Sequence, residues 1–141
     1  MHPDQRRLRR LQRLEQIRAI AKQAAAQDAA AAEGTLQQLR ALADRTRAMA
    51  HDYRRRAGPS DGYALRLTST FVAGLSGIAT STSSDARQAQ LIADRKQHEL
   101  AIAERARAAV QDRAAASERA LTLRFTESAL GARRAIGTEL E

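Results

Sequence analysis

Histidines, carboxylates and hydroxyls are the residues in this sequence that could take part in catalysis or metal binding. His2, His51 and His98 lie far apart, and Asp94 precedes His98 by four residues, which places this pair on one face of a helix. Two ligands do not complete a zinc site, so a surface hydrogen bond is expected for the pair. There is no cysteine, and no histidine is placed to activate a serine or threonine. We therefore expect no enzymatic activity, no metal and no cofactor.

Phosphate-binding motifs are also missing from the sequence. No Gly-Lys-Ser or Gly-Lys-Thr follows an earlier glycine at the spacing of a nucleotide-binding loop. The letters GLSG, residues 74–77, match the GxxG loop of KH domains, but the strands that a KH domain needs are not predicted. We expect no small-molecule substrate. The chemistry that remains is that of surfaces that bind other macromolecules.

Charge is distributed unevenly along the chain. Of the formal net charge of +8, residues 1–57 carry 13 basic and 6 acidic side chains, whereas residues 58–141 carry 11 and 10. The excess comes from two clusters: Arg6, Arg7, Arg9, Arg10 and Arg13, then Arg54, Arg55 and Arg56. Such clusters attract nucleic acid, anionic lipid or acidic protein surfaces, or they form a solvated helix face. In contrast, residues 67–84 contain no charged side chain at all.

The elements that must position these residues are helices. Aromatic residues are 3% of the 141 residues, and the apolar content is largely alanine, which buries little area and favours helix. No long segment alternates with the period of a strand. The sequence therefore predicts an all-α protein: a long antiparallel two-helix coiled-coil hairpin with a C-terminal helical overhang.

The predicted boundaries follow from AGPSDG, residues 57–62, since Gly-Pro and Asp-Gly end helices and turn the chain. We predict one coiled-coil domain over residues 1–141, with a helix over 4–57, a turn over 58–62 and a helix over 63–138. An alternative starts the second helix at Asp85, with Gln88 completing a capping box, and leaves 58–84 as a loop. A structureless loop of that length would be unusual.

A heptad pattern predicts where the two helices meet. On the second helix the seven-residue series is Leu65, Val72, Ala79, Ala86, Ala93 and Leu100, joined by Leu75, Thr82, Ala89 and Ala103. Further along, the spacing changes to eleven, in the series Val110, Leu121, Ala132 and Ala114, Phe125, Ile136. On the first helix the predicted contact positions are Leu36, Leu39, Ala43, Thr46, Ala50 and Tyr53.

The turn also predicts a register. If Ser60 is its centre, the opposed pairs are Gln38 with Thr82, Leu42 with Ile78, Arg45 with Leu75, and Met49 with Phe71. These residues form two stripes that we expect to lie side by side. Residue 1 would then lie beside residue 119, so residues 120–141 would extend as an overhang. Its apolar side chains suggest a partner.

The length, the hairpin layout and the stripe together resemble the FliJ family, the small coiled-coil component of the flagellar type III export ATPase complex. Gln38, Leu42, Phe71 and Leu75 match a surface that in this family faces the membrane export gate, whereas Arg45, Met49, Ile78 and Thr82 differ. The resemblance implies a non-enzymatic stalk, similar to the γ subunit of rotary ATPases, that inserts into a hexameric export ATPase.

The resemblance also implies two sets of site residues. The expected export-gate docking residues are Gln38, Leu42, Met49, Phe71, Leu75, Ile78 and Thr82. The expected ATPase-binding residues are Arg6, Arg7, Leu8, Arg9, Arg10, Leu11, Arg13, Leu121 and Phe125. The expected partners are the hexameric flagellar export ATPase and the membrane export-gate protein, with export chaperones as further candidates.

Two other interpretations stay open from the residues alone. One is a structural or scaffolding coiled coil with an unknown protein partner. The other is a basic helical nucleic-acid-binding protein, although aromatic residues for base stacking are scarce. The N-terminal residues lack the apolar region of a secretory signal, and half of residues 67–84 are serine or threonine, too polar for a membrane span. We expect a cytoplasmic protein, peripherally associated with the inner membrane at the flagellar base.

Overall fold

The computed structural model describes residues 2–56 and 61–138, which form two long helices. Helix α1 is Pro3–Arg56 and helix α2 is Gly62–Thr138, and the two pack against each other as an all-α hairpin. The two helices begin one residue before the predicted starts at residues 4 and 63. Because α2 runs unbroken through residues 67–84, the alternative with a loop over 58–84 is wrong. The predicted end of the first helix at residue 57, and residues 58–60 of the predicted turn over 58–62, lie outside the described residues.

Each helix begins at a residue that caps its free N–H groups. His2 accepts a hydrogen bond from the backbone N–H of Asp4 through Nδ1 (3.3 Å), and Pro3 occupies the first helical position, where no N–H is needed. Asp61 caps α2 because its Oδ1 accepts from the backbone N–H of Ala64 (2.7 Å). The Asp-Gly pair that signalled a turn in the sequence therefore starts the second helix.

The uncharged stretch of residues 67–84 stays helical although serine and threonine are weak helix formers. Two hydroxyls of the stretch donate to the carbonyl four residues earlier: that of Thr68 to Ala64 (3.0 Å) and that of Thr80 to Ser76 (2.9 Å). These bonds keep polar side chains satisfied against their own helix instead of in a competing turn. The stretch thus presents a helical surface with no charge.

The chain divides into two compact units, and each has its own contacts between α1 and α2. Unit 1 combines Met1–Ala25 with Leu100–Glu141, and unit 2 is Ala26–Glu99. The single domain predicted over residues 1–141 stays a prediction.

Unit 2 is built on the predicted heptad seam. Leu36 packs among Ala86, Ala89 and Ala93 in one cluster. In a second cluster Ala50 packs with Val72 and Leu75. The heptad prediction is confirmed for the buried residues Leu36, Ala43, Thr46, Ala50, Val72, Leu75, Ala79, Thr82, Ala86, Ala89 and Ala93. It is wrong for Leu65 and Tyr53, which are exposed.

Unit 1 follows the predicted eleven-residue spacing only in part. Val110, Ala114 and Leu121 are buried, but Phe125 and Ile136 are exposed. Asp4 forms an ion pair with Arg124, so the start of α1 lies beside this part of α2. The overhang therefore begins after Arg124, later than the predicted residue 120.

The register of unit 2 differs from the one centred on Ser60. Leu75 packs with Ala50, five residues beyond its predicted partner Arg45. Counting outward in equal steps from this pair, the end of α1 at Arg56 reaches Ser69 on α2. Residues 62–68 therefore extend past α1, and Tyr63, Leu65 and Leu67 are exposed there. The predicted register failed because it assumed that the contact between the helices starts equally far from Ser60 on α1 and on α2.

A cross-linking experiment checks this register. In a protein without cysteine, an Ala50→Cys, Leu75→Cys pair should react readily with a short bifunctional thiol reagent, because these two residues pack together in the observed register. An Arg45→Cys, Leu75→Cys pair is the matched control, since Arg45 opposes Leu75 only in the register centred on Ser60. The cross-linked fraction is read from the mobility shift on a denaturing gel. Equal yields for the two pairs would contradict the register.

Candidate functional site

An exposed apolar edge runs along one side of the seam in unit 2. We define it as Leu42, Met49, Phe71 and Ile78, all of which are exposed. Each of them directly precedes a buried seam residue, and in an antiparallel pair these positions of both helices lie on the same edge. Phe71 contacts Tyr53 of α1, and Leu42, Met49 and Ile78 flank the same side of the seam. This is a continuous apolar strip that the hairpin itself does not cover.

Phe71 is the largest side chain of the apolar edge and is held by a neighbour. Its ring meets that of Tyr53 edge-on, with centroids 4.8 Å apart and an interplanar angle of 68°. An aromatic pair of this geometry contributes about 0.5–1.5 kcal/mol beyond the area it buries. Phe71 is still 47% exposed, so its ring is oriented by Tyr53 and remains open to a partner.

Leu75 and Thr82 do not belong to the apolar edge. Both were predicted as gate-docking residues as well as seam residues, and both are buried in the seam, with Leu75 only 9% exposed. Gln38 and Arg45 are exposed on α1, but their predicted partners face the seam instead. Of the two predicted stripes, the structure therefore leaves Leu42, Met49, Phe71 and Ile78 exposed beside the seam.

The opposite edge of unit 2 carries arginines, and the sequence analysis missed it. Arg40 donates a hydrogen bond to Gln90, Arg47 to Ser83, and Arg54 to Ser76, the last at 3.2 Å. We call this row the arginine edge. Its signal was present in the sequence as three arginines spaced by seven, each directly after a position between the helices. The clusters of adjacent arginines drew attention away from it.

In unit 1 the predicted ATPase-binding residues of α1 lie on different sides of the helix. Most of the arginines point to solvent, whereas the two leucines are half-buried. Arg7 and Leu11 line a pocket of about 420 Å³ together with Arg113 and Arg124 of α2. The exposed residues are Arg6, Arg7, Arg9, Arg10 and Arg13, and the half-buried ones are Leu8 and Leu11.

The two remaining predicted ATPase-binding residues, Leu121 and Phe125, lie on the C-terminal part of α2 and differ in burial. Leu121 is buried and lines the same pocket as Leu11, so it holds the two helices together. Phe125 is exposed, and so are Leu130 and Ile136 further along the overhang. A shallow pocket on this stretch is lined by Phe125, Leu130 and Arg133 among others. The overhang therefore offers exposed apolar side chains from a single helix.

The residues singled out for catalysis or metal binding do not come together. Asp94 accepts a hydrogen bond from Gln90 (2.9 Å), a neighbour on its own helix. Within residues 2–56 and 61–138, no group of three or more histidines and carboxylates could hold a metal ion.

Neither of the two helices, in the part of the chain that the structure describes, is long and apolar enough to cross a membrane. Comparison of the chain with protein-family models, with curated proteins and with solved structures finds no match. The likeness to the FliJ family, with the partners it implies, stays a prediction from the sequence.

Proposed function

We propose that this chain is a non-enzymatic coiled-coil stalk of a flagellar type III protein export apparatus. It inserts into a hexameric export ATPase and links it to the membrane export gate, at the inner membrane at the flagellar base. The observation that carries the proposal is the apolar edge of unit 2. This edge stays exposed although the seam beside it is fully packed, and it includes Leu42 and Phe71, two positions of the family's gate-facing surface.

The gate-docking role belongs to the apolar edge in this proposal. Phe71, Ile78, Leu42 and Met49 supply the contact area, and the uncharged stretch of α2 around them lets a partner approach without desolvating a charge. Leu75 and Thr82 serve the same site indirectly, because their burial keeps α2 in the register that aligns the edge. Gln38 lies exposed on α1 as a polar residue near this edge.

The ATPase-binding role belongs to unit 1. The exposed arginines at positions 6, 9, 10 and 13 provide positive charge that attracts an acidic surface and speeds association. The overhang provides apolar side chains, above all Phe125, that such a surface can bury. The half-buried Leu8 and Leu11, with Leu121, hold α1 and α2 together beneath these side chains.

The partner ATPase supplies the hydrolysis of ATP, and this chain supplies the contacts on either side. A helical stalk suits this role because hydrogen bonds within the helix satisfy its backbone, and the seam keeps two helices parallel to one axis. Export chaperones are further candidates for binding to the same exposed side chains.

The ATPase-binding part is tested on the overhang. Replacing Phe125, Leu130 and Ile136 by serine should abolish stimulation of the purified flagellar export ATPase, because the variant loses the apolar anchors without touching a buried residue. The readout is phosphate release by the ATPase with and without this chain. Circular dichroism should show that the helix content is kept.

The matched control replaces Ile17, Ile20 and Leu91 by serine, since these side chains are at least as exposed but lie outside the overhang. It should retain full stimulation. Unchanged stimulation by the overhang variant would argue against the stalk function, and would leave a scaffolding coiled coil as the better interpretation.

A further inference from the structure

We propose that the arginine edge of unit 2 is a docking surface for a third α-helix, supplied by another protein, that carries acidic side chains spaced by seven residues. The edge consists of Arg40, Arg47 and Arg54 on α1, facing Gln90, Ser83 and Ser76 on α2. It lies on the other side of the seam from the apolar edge. The inference does not depend on the export function.

The positive charge of the row is not neutralised across the hairpin. Positions of this kind normally hold interhelical salt bridges, but here each guanidinium donates to a neutral hydroxyl or amide oxygen. Arg47 has one carboxylate nearby, Asp44 on its own helix at 3.6 Å. Among the described residues, Arg40 and Arg54 have no ion-pair partner. The row can therefore still bind acidic groups.

The three arginines of the row are spaced by seven residues. Residues seven apart along a helix are separated by about 10.5 Å, and they lie on nearly the same side of it. A helix that lies alongside α1 and carries a carboxylate every seven residues repeats this distance. All three pairs can then form at once, in either helix direction. Bidentate arginine–carboxylate pairing would fix the register of such a helix.

The same edge also has recesses beside its charged side chains. A pocket of about 270 Å³ lies between Arg40 and Arg47 and is floored by Ala43 and Ala86. A second pocket, of about 320 Å³, lies beside Arg54 and is lined by Leu65, Val72 and Ala73. Apolar side chains placed between the carboxylates of the partner helix would enter these recesses. The surface thus alternates charge with small apolar pockets, as a helix-binding groove does.

The partner is not a second copy of this chain. No two of its sixteen Asp and Glu residues are spaced by seven, so the chain contains no matching acidic row. Nucleic acid is the less suitable partner, since the recesses between the arginines are lined in part by Ala43, Ala86 and Val72, which suit apolar side chains and offer a sugar-phosphate backbone no hydrogen bond. Aromatic side chains for base stacking are also missing from the arginine edge.

The experiment uses the full chain and a synthetic probe. The probe is an alanine-rich helical peptide with three glutamates spaced by seven, and its control has the same composition with glutamates spaced by five, which spreads them around the helix. Binding is measured by fluorescence anisotropy at low salt. We expect the first peptide to bind about tenfold more tightly than the second, with the difference falling as salt is added.

A charge-reversed chain identifies the surface. R40E/R47E/R54E should lose about tenfold in affinity and should gain binding to the same peptide made with lysine instead of glutamate. R45E/R55E/R95E is the matched control, with the same change in net charge at exposed positions outside the row. It should keep the preference for glutamates spaced by seven. Circular dichroism checks that both variants remain helical.

Three results would overturn the proposal. One is that the native chain binds neither peptide, or binds both equally. Another is that the control variant loses as much affinity as R40E/R47E/R54E. The third is that a short DNA duplex displaces the labelled glutamate peptide more effectively than unlabelled peptide does, when both competitors are compared at the same concentration of negative charges. That last result would assign the arginine edge to nucleic acid.

Discussion

Replacing Leu36 by alanine will destabilise unit 2 more than any other single truncation of an aliphatic side chain in its seam. Leu36 is 1% exposed and packs among Ala86, Ala89 and Ala93, with Ala32 and Leu39 beside it. Burial of a leucine side chain contributes about 1.5–3 kcal/mol, and the cavity left by its removal adds to the loss. Leu→Ala at buried sites costs about 2–5 kcal/mol.

The upper part of that range applies to Leu36 because its neighbours are alanines. An alanine side chain is one methyl group, so the surrounding residues cannot move inward to fill the space. The loss is measured from urea unfolding followed by the helical circular-dichroism signal. Leu91→Ala is the control, since Leu91 is 69% exposed, and it should change the free energy of unfolding by less than about 0.5 kcal/mol. Similar losses for the two variants would mean that Leu36 is not a core residue.

Leu36 is important because most residues around it in the seam are alanines, and the abundance of alanine is visible in the sequence. Long helices were predictable, because good helix formers dominate and the two prolines, Pro3 and Pro59, leave long stretches uninterrupted. The seam of unit 2 was predictable as well, because a seven-residue repeat of apolar residues can only be buried by a partner helix. Both properties are local, so a single sequence contains them.

The register was not predictable in the same way. The register depends on the number of residues at the start of α2 that come before its first contact with α1. It is also weakly specified, because alanines on both sides of the seam pack almost equally well after one helix shifts along the other. Larger side chains at positions such as Ala43 and Ala79 would have distinguished one register from another. In unit 1, the ion pair between Asp4 and Arg124 fixes where the overhang begins, and charges on two distant segments gave no sign of that pairing.

The candidate site was predictable in part for the same reason. Leu42, Met49, Phe71 and Ile78 were predicted as members of two stripes with helical spacing, and all four are exposed beside seam positions. Leu75 and Thr82 were assigned both to the seam and to the docking surface, and burial places them in the seam. The arginine edge could not be predicted without knowing which residues face it across the hairpin. The arginines stay available to a partner because those residues, Ser76, Ser83 and Gln90, are neutral.

The apolar edge leads to the second large effect, which is on binding. Phe71→Ala should weaken binding to the membrane export-gate protein by about thirtyfold, because an aromatic anchor at an interface contributes about 2 kcal/mol or more. The fold should lose little. Phe71 is 47% exposed, and its ring packs edge-on against that of Tyr53. The expected loss of folding stability on Phe71→Ala is therefore about 1 kcal/mol.

Binding affinity and folding stability together separate a docking residue from a core residue. Truncation of a phenylalanine in a core would cost about 3–5 kcal/mol of stability. Affinity is measured by calorimetry with the purified cytoplasmic part of the gate protein, and stability by urea unfolding of the same variant. Leu91→Ala is again the control, because it removes an exposed apolar side chain of α2 away from the apolar edge. A loss of several kcal/mol in stability for Phe71→Ala would make Phe71 part of the core. Unchanged affinity would remove the apolar edge as the gate-docking surface, and with it the observation on which the proposed function depends.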